Sequence, residues 1–319
     1  MKIIIPEDYQ DAVRTLDCYS KLQGHEVIIF NDSVQDIETL AERFQEADAL
    51  VLIRERTALP AELLERLPRL KIISQTGRGI PHIDLEACTR LGIAVAVGGG
   101  SSIATAELTW ALILASQRNI PHEVTQMRLG KWQTTLGLSL HGRILGILGY
   151  GNIGKMVAGY GKAFGMRVLA WGREGSLTRA HADGVEVASN QRDLFEQSDV
   201  LSIHLKLVEN TRGQITEADL KAMKPNALLV NTSRAELIAP NALVNVLQAG
   251  QPFRAAVDVY ENEPLIDHPL LHLPNVICTP HLGYVEKDNY ELYFGAAFDH
   301  LLAFWNGQPA GIVNPEVLS

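Results

Sequence analysis

Cysteine is scarce. The three residues Cys18, Cys88 and Cys278 are odd in number and show no metal-ligand spacing, which excludes a disulfide framework and a thiolate metal centre. They read as reduced thiols packed inside a cytoplasmic protein. Basic runs are also missing. Lys and Arg number 28 against 37 Asp and Glu, for a formal net charge of −9, and a nucleic-acid face needs the opposite balance. No apolar run approaches the ~18 residues of a membrane span. The opening MKIIIPEDY leads straight into a strand pattern without the regions of a signal peptide, so no membrane or export segment is expected. Low-complexity tracts and short-period repeats are absent too. What is left is an acidic protein acting on small molecules, and 319 residues with 46% hydrophobic content suggest two domains.

What is present has a regular grammar. Short runs rich in Val and Ile, namely KIII (2–5), EVIIF (26–30), ALVLI (49–53), KIISQT (71–76) and IAVAV (93–97), alternate with amphipathic stretches. Such runs predict a parallel sheet covered on both faces. The pattern restarts with RILGILGY (143–150) and continues through RVLAW (167–171), VEVA (185–188), DVLSIHL (199–205), ALLVNTS (227–233), RAAVDVY (254–260) and NVICTPH (275–281). Between them GGGSSIATAELTWALILASQ (98–117) reads as a Gly-rich turn followed by an apolar helix, and a last helix is expected from about 286 to 305. The predicted fold class is α/β, with two doubly wound parallel-sheet domains. Residues 100–285 form a Rossmann dinucleotide-binding domain, inserted in a flavodoxin-like substrate-binding domain of residues 1–99 plus 286–319. The cleft between the domains is the expected place for a ligand.

LGYGNIG carries Gly149, Gly151 and Gly154 at the G-x-G-x-x-G spacing, after a strand and before a helix. In that context the loop predicts a pyrophosphate site formed by Gly149, Tyr150, Gly151, Asn152, Ile153 and Gly154. About 20 residues on, where an NAD site usually offers a carboxylate to the ribose 2′-hydroxyl, the chain has Trp171, Gly172 and Arg173. Losing the carboxylate removes repulsion of a 2′-phosphate, and a guanidinium suits that phosphate. The expected cofactor is therefore NADP or NAD, with NADP favoured. His204, Lys206, Thr232 and Ser233 are further candidate cofactor contacts at strand ends.

Three segments follow strands of the second domain: NTSRAEL with Arg234, DVYENEP with Asp258 and Glu263, and TPHLG with His281. An arginine, a carboxylate and a histidine at successive strand ends suit reduction of a 2-oxo acid. Arg234 can hold the carboxylate and keto oxygen, His281 can exchange a proton with that oxygen, and Glu263 can stabilise the imidazolium. Asp258 is expected to accept a hydrogen bond from the nicotinamide carboxamide. No metal site is expected.

The order TGRGIPHID, TAELTWALILA, LGYGNIG, MKPNALLVNTSR, DVYENEPL and TPHLG resembles the D-isomer-specific 2-hydroxyacid dehydrogenases over nearly the whole chain. The resemblance implies a homodimer joined through the cofactor domains, the roles given above for Arg234, Glu263 and His281, and substrate-carboxylate contacts from the backbone around Gly77, Arg78 and Gly79, together with Arg234 and His281. Gly172 and Arg173 look like the NADPH-preferring glyoxylate and hydroxypyruvate reductases of that family. Arg54 and Arg56 fall where its 3-phosphoglycerate dehydrogenases hold basic residues, so a phosphorylated substrate is the alternative. A dinucleotide-sensing binding protein on the same fold is the rival of another class. Glu263 argues against a formate dehydrogenase, whose histidine pairs with Gln. Ala235 and the IAP of 238–240 depart from the family pattern, so a different local turn is expected there.

Overall fold

The computed structural model describes residues 1–249 and 254–318, and the chain divides into two compact units, Met1–Ser101 with Glu286–Ser319, and Ser102–Val285. In the first unit β1 (Lys2–Ile5), β2 (Glu26–Ile29), β3 (Ala49–Leu52), β4 (Ile72–Gln75) and β5 (Ala94–Val97) form a parallel sheet in the order β2-β1-β3-β4-β5. This is the flavodoxin-like order, whose direction reverses between β1 and β3. Alternate residues send Ile4, Leu50, Leu52, Ile73 and Val95 into a core with Phe44, Leu63 and Leu64. On the other face lies the helix Lys287–Trp305, where Ser74 Oγ donates to the Ala297 carbonyl at 2.9 Å and Phe294, Phe298 and Leu301 are buried.

In the second unit β6 (Ile144–Leu148), β7 (Arg167–Trp171), β8 (Glu186–Val187), β9 (Val200–Ile203), β10 (Leu228–Asn231), β11 (Arg254–Val257) and β12 (Val276–Cys278) pair in the order β12-β11-β10-β9-β6-β7-β8. Every ladder is parallel. The direction reverses between β6 and β9, as in dinucleotide-binding sheets. Leu145, Ile147, Val168, Val200, Leu228 and Val230 face the helices Ile103–Gln117 and Asn152–Ala163 through Trp110, Ile113 and Val157. Leu148, Leu201, Ile203, Leu229 and Val257 face the opposite core with Phe195 and Val246. A sheet buried on both faces is what the near-continuous apolar runs require.

The strands stop earlier than those runs. β10 ends at Asn231, because the Asn231 amide donates to the Arg234 carbonyl at 2.9 Å and accepts from Ser233 N at 3.0 Å, folding the chain into a turn. The shortened strands leave their polar ends as loops at the carboxyl edge of the sheet. Among the described residues no helix is long and apolar enough to cross a membrane, and no group of His, Cys, Asp and Glu could hold a metal ion.

Candidate active site

The loop after β6 is shaped by its glycines. Gly149 has φ +99°, and a Cβ there would lie 2.7 Å from the His204 carbonyl, so β6 and β9 leave no room for a side chain. At Gly154 a Cβ would collide with the Gly149 carbonyl. A Cβ at Gly151 would meet nothing, which leaves open space at the start of the helix Asn152–Ala163, where no side chain caps the free N–H groups. A cradle of this kind fits a dinucleotide pyrophosphate. Asn152 is exposed and Ile153 half-buried beside it.

Tyr150 contributes only backbone to this loop. Its ring is buried, and its hydroxyl donates to Asp183 at 3.0 Å, with burial raising its pKa to about 12. After β7, Gly172 has ordinary space for a side chain, since a Cβ would lie 3.4 Å from Ser176 Oγ and 3.5 Å from Gly149 Cα. Neither its backbone nor its packing demands glycine. Arg173 stands exposed at the N-cap of the helix Glu174–Ala182, its carbonyl accepting from Ser176 N at 2.7 Å and Leu177 N at 3.1 Å, while its guanidinium makes no hydrogen bond or ion pair among the described residues. Lys206 is also exposed. His204 Nε2 pairs with Ser202 Oγ at 2.8 Å, and desolvation lowers its pKa to about 3, so this imidazole is neutral.

Thr232 and Ser233 are engaged structurally. Thr232 Oγ1 meets Thr109 Oγ1 at 2.7 Å, and Ser233 Oγ donates to the Leu205 carbonyl at 2.6 Å. These bonds tie β10 to the helix Ile103–Gln117 and to the loop after β9. Arg234 follows, half-buried, with Nη1 donating to the Ser233 carbonyl at 2.8 Å, and the next residues form a short 3-10 turn, Ala235–Leu237. Ala235 opens that turn, and the IAP stretch of 238–240 follows it.

His281 and Glu263 are brought together. Nδ1–H of His281 donates to Glu263 Oε2 at 2.5 Å, and Glu263 Oε1 accepts from Tyr260 N at 2.9 Å. With a carboxylate as acceptor, Nδ1 carries the proton and Nε2 is left for exchange. His281 has φ +51°, a left-handed conformation that is strained for a residue with a side chain. Asp258 over-determines it: the buried carboxylate accepts from Thr279 Oγ1 at 2.6 Å, Leu282 N at 2.7 Å and Gly283 N at 2.8 Å. Burial pushes the Asp258 carboxyl up, and these bonds and His281 oppose the shift. Two of these donors meet Oδ1 and one meets Oδ2, so the carboxylate clamps the TPHLG turn and Oδ2 keeps capacity for one more donor. Thr105 adds a bond to the Gly283 carbonyl at 2.8 Å, and the Tyr284 ring meets the His281 ring edge-on at 5.3 Å.

The first unit holds Arg54, Arg78 and Gly79. Gly77 has φ +103°, a left-handed conformation that favours glycine. Gln75, buried at the end of β4, donates to the Arg54 carbonyl at 2.8 Å and to the Gly79 carbonyl at 2.9 Å. Arg78 is exposed. Arg54, at φ +55°, pairs with Glu55 at 3.7 Å and lies over the Tyr293 ring at 5.4 Å. Arg56 is committed elsewhere, over the Tyr9 ring at 4.3 Å and donating to the Glu7 carbonyl. Gln75, Asn231, Thr105 and Thr279 were not singled out in the sequence. For Gln75, Asn231 and Thr279 the signal was there, as polar residues closing or following otherwise apolar strands; Thr105, in the first turns of the helix Ile103–Gln117, carried none.

A seven-stranded dinucleotide-type sheet with a glycine cradle and a histidine–carboxylate pair at its carboxyl edge defines a nicotinamide-dinucleotide oxidoreductase. Residues 110–283 match the NAD-binding domain of the D-isomer-specific 2-hydroxyacid dehydrogenases. The chain is 42% identical over 294 residues to a glyoxylate reductase of Aeropyrum pernix, covering 88% of this chain and 87% of that one. It is 39% identical over 287 residues to a D-3-phosphoglycerate dehydrogenase of Methanocaldococcus jannaschii, covering 89% of this chain and 53% of that longer protein. The crystal structure of a phosphoglycerate oxidoreductase from Vibrio cholerae superposes with a TM-score of 0.94 at 51% identity, over 96% of this chain and 99% of that one. The chain belongs to the D-isomer-specific 2-hydroxyacid dehydrogenase family.

Proposed function

We propose that the protein reduces a small 2-oxo acid of the glyoxylate or hydroxypyruvate type, or oxidises the matching D-2-hydroxy acid, with NADPH preferred to NADH. The observation that carries this reading is the 2.5 Å bond that fixes His281 Nδ1 on Glu263. It leaves Nε2 to donate a proton to the carbonyl oxygen and to take it back in the reverse direction. Glu263 stabilises the imidazolium while His281 is charged. Arg234 and the backbone of Gly77, Arg78 and Gly79 hold the substrate carboxylate and present the carbonyl. Gly149, Gly151, Asn152, Ile153 and Gly154 would hold the dinucleotide, which when bound would supply the hydride.

Preference for the 2′-phosphate is supported at residue 172, where side-chain space exists and no carboxylate fills it, beside the exposed Arg173. Three free thiols fit a reducing cytoplasm. A homodimer joined through the cofactor-binding unit is supported by Met127, Leu129, Trp132 and Leu136, all exposed. The second reading, a phosphoglycerate dehydrogenase, is favoured by the names of two of the relatives. A dinucleotide sensor is disfavoured by the built acid–base pair.

The test is steady-state oxidation of NADPH and of NADH against glyoxylate, hydroxypyruvate, pyruvate, phenylpyruvate and phosphohydroxypyruvate, with His281→Ala as control. Turnover faster with NADPH, and lost in the variant, is expected. Gly172→Asp should move the preference to NADH by at least tenfold in kcat/KM, because it restores a carboxylate that repels the 2′-phosphate. Equal use of both cofactors by the unaltered protein would remove the NADPH assignment. Binding of dinucleotide without turnover of any of the acids would favour the sensor.

A further inference from the structure

Tyr260 is a side chain that the reading above leaves without a role. Its backbone N–H donates to Glu263 Oε1 at 2.9 Å, and its hydroxyl donates to the Thr279 carbonyl at 3.1 Å. The same carbonyl accepts from His281 N at 3.0 Å, and Glu263 Oε2 accepts from His281 Nδ1 at 2.5 Å. These bonds close a circuit that runs from Tyr260 through Glu263, His281 and Thr279 back to the phenol. One residue thus holds both members of the acid–base pair, Glu263 through its main chain and the TPHLG turn through its side chain. Asp258 ties the same turn to the end of β11. Tyr260 ties it instead to the residue whose N–H grips the Glu263 carboxylate.

The phenol is suited to this. Its ring is buried and meets His268 edge-on at 5.7 Å, and His268 is itself fixed, with Nδ1 accepting from Leu270 N at 3.2 Å and Nε2 3.7 Å from Glu261. Packing does not enclose the ring fully, because a cavity of about 30 Å³, lined also by Ala235, Val257 and Leu270, borders it. The hydroxyl bond removes the freedom that this space leaves. Burial pushes the phenol above its ordinary pKa, and Cys278, Asp258 and Glu263 add to the shift, so the hydroxyl stays protonated and donates. Small displacements of a proton-exchanging group are costly, since a misplacement of about 1 Å can slow a reaction by about 10²-fold.

We propose that Tyr260 is a positioning residue for the acid–base pair, its hydroxyl holding the His281 turn at a fixed place relative to Glu263 so that Nε2 is presented in one orientation. The proposal rests on the 2-oxo acid reductase reading and deepens it.

The experiment compares the intact protein with Tyr260→Phe, which keeps the ring and loses the hydroxyl, and combines that change with Glu263→Gln. In Tyr260→Phe, kcat for the preferred 2-oxo acid should fall by about fivefold or more, with KM and dinucleotide affinity within about twofold. Added to Glu263→Gln, the same change should slow the enzyme by less than about twofold, because the pair that Tyr260 positions is already disabled. A smaller fall in Tyr260→Phe, a loss carried by KM or by dinucleotide binding, or the same fall repeated on top of Glu263→Gln each overturns the proposal. Proton NMR separates this failure from failure of the reductase reading. The His281 Nδ1–H should give a low-field resonance that His281→Ala removes. Should the unaltered protein turn over no 2-oxo acid, exchange of that proton with water faster by about tenfold in Tyr260→Phe upholds the positioning role while the reductase reading falls. An unchanged exchange rate removes both.

Discussion

Nδ1 of His281 is the atom on which the proposed chemistry turns, because its bond to Glu263 decides which nitrogen exchanges a proton. Glu263→Gln can keep that hydrogen bond and cannot stabilise an imidazolium. We expect kcat to fall by about 10²-fold or more, with a smaller change in KM, and His281→Ala to fall at least as far, within the range usual for loss of a general acid. Steady-state kinetics on the preferred 2-oxo acid decide it; a Glu263→Gln enzyme within threefold of the unaltered one would make the carboxylate a bystander. This pair was legible in the sequence because a histidine and a glutamate follow neighbouring buried strands. The clamp behind it was not. The sequence marks Asp258 as a site residue, but only the folded backbone brings Leu282 N and Gly283 N onto its oxygens.

At the scale of elements, the alternation of apolar runs and helical spacers places all twelve described strands, since burial on both faces leaves little choice but Val, Ile, Leu and Ala. Strand ends are less legible: the polar residues that terminate them satisfy turns through contacts distant in sequence, as Thr232 does with Thr109. The phosphate loop offers a test that separates folding from binding. Gly149→Ala forces a side chain into φ +99° and onto the His204 carbonyl. It should cost about 2–4 kcal/mol of stability, measured by urea unfolding without cofactor. Gly151→Ala meets open space, so stability should hold within about 0.5 kcal/mol, while dinucleotide affinity, measured by fluorescence titration, falls at least tenfold. Equal affinity in Gly151→Ala would deny that the open space belongs to the pyrophosphate.

Two properties belong to the molecule as a whole. The first is acid sensitivity in a window set by buried imidazoles. His82 and His204 have pKa values lowered from 6.5 to about 4 and about 3, so the unfolded chain binds their protons first. Stability rises with pH wherever the unfolded state holds more protons, so it should decline as pH falls from about 6.5 toward 4, by a few kcal/mol. A His82→Asn/His204→Asn protein should lose much of the slope between pH 6.5 and 5 in urea midpoints; an unchanged slope would place the dependence on other groups. The second property is assembly. In the second unit the helix Ile120–Arg128 buries no residue, and the segment after it leaves Leu129, Trp132 and Leu136 at 65%, 75% and 94% exposure. That segment is nevertheless ordered, because Glu123 gathers Thr134 N, Thr134 Oγ1 and Thr135 Oγ1 at 3.1, 2.9 and 2.6 Å. Those bonds lower the Glu123 pKa to about 2. An ordered arm with apolar residues turned to water is suited to a second copy, and an isologous contact would bury the same residues from both chains. Light scattering during gel filtration should find a dimer, and Trp132→Glu with Leu136→Glu should give a monomer that keeps its unfolding transition in the absence of cofactor. A monomeric unaltered protein would end the dimer reading, and a dimer that survives both charges would move the interface off this arm.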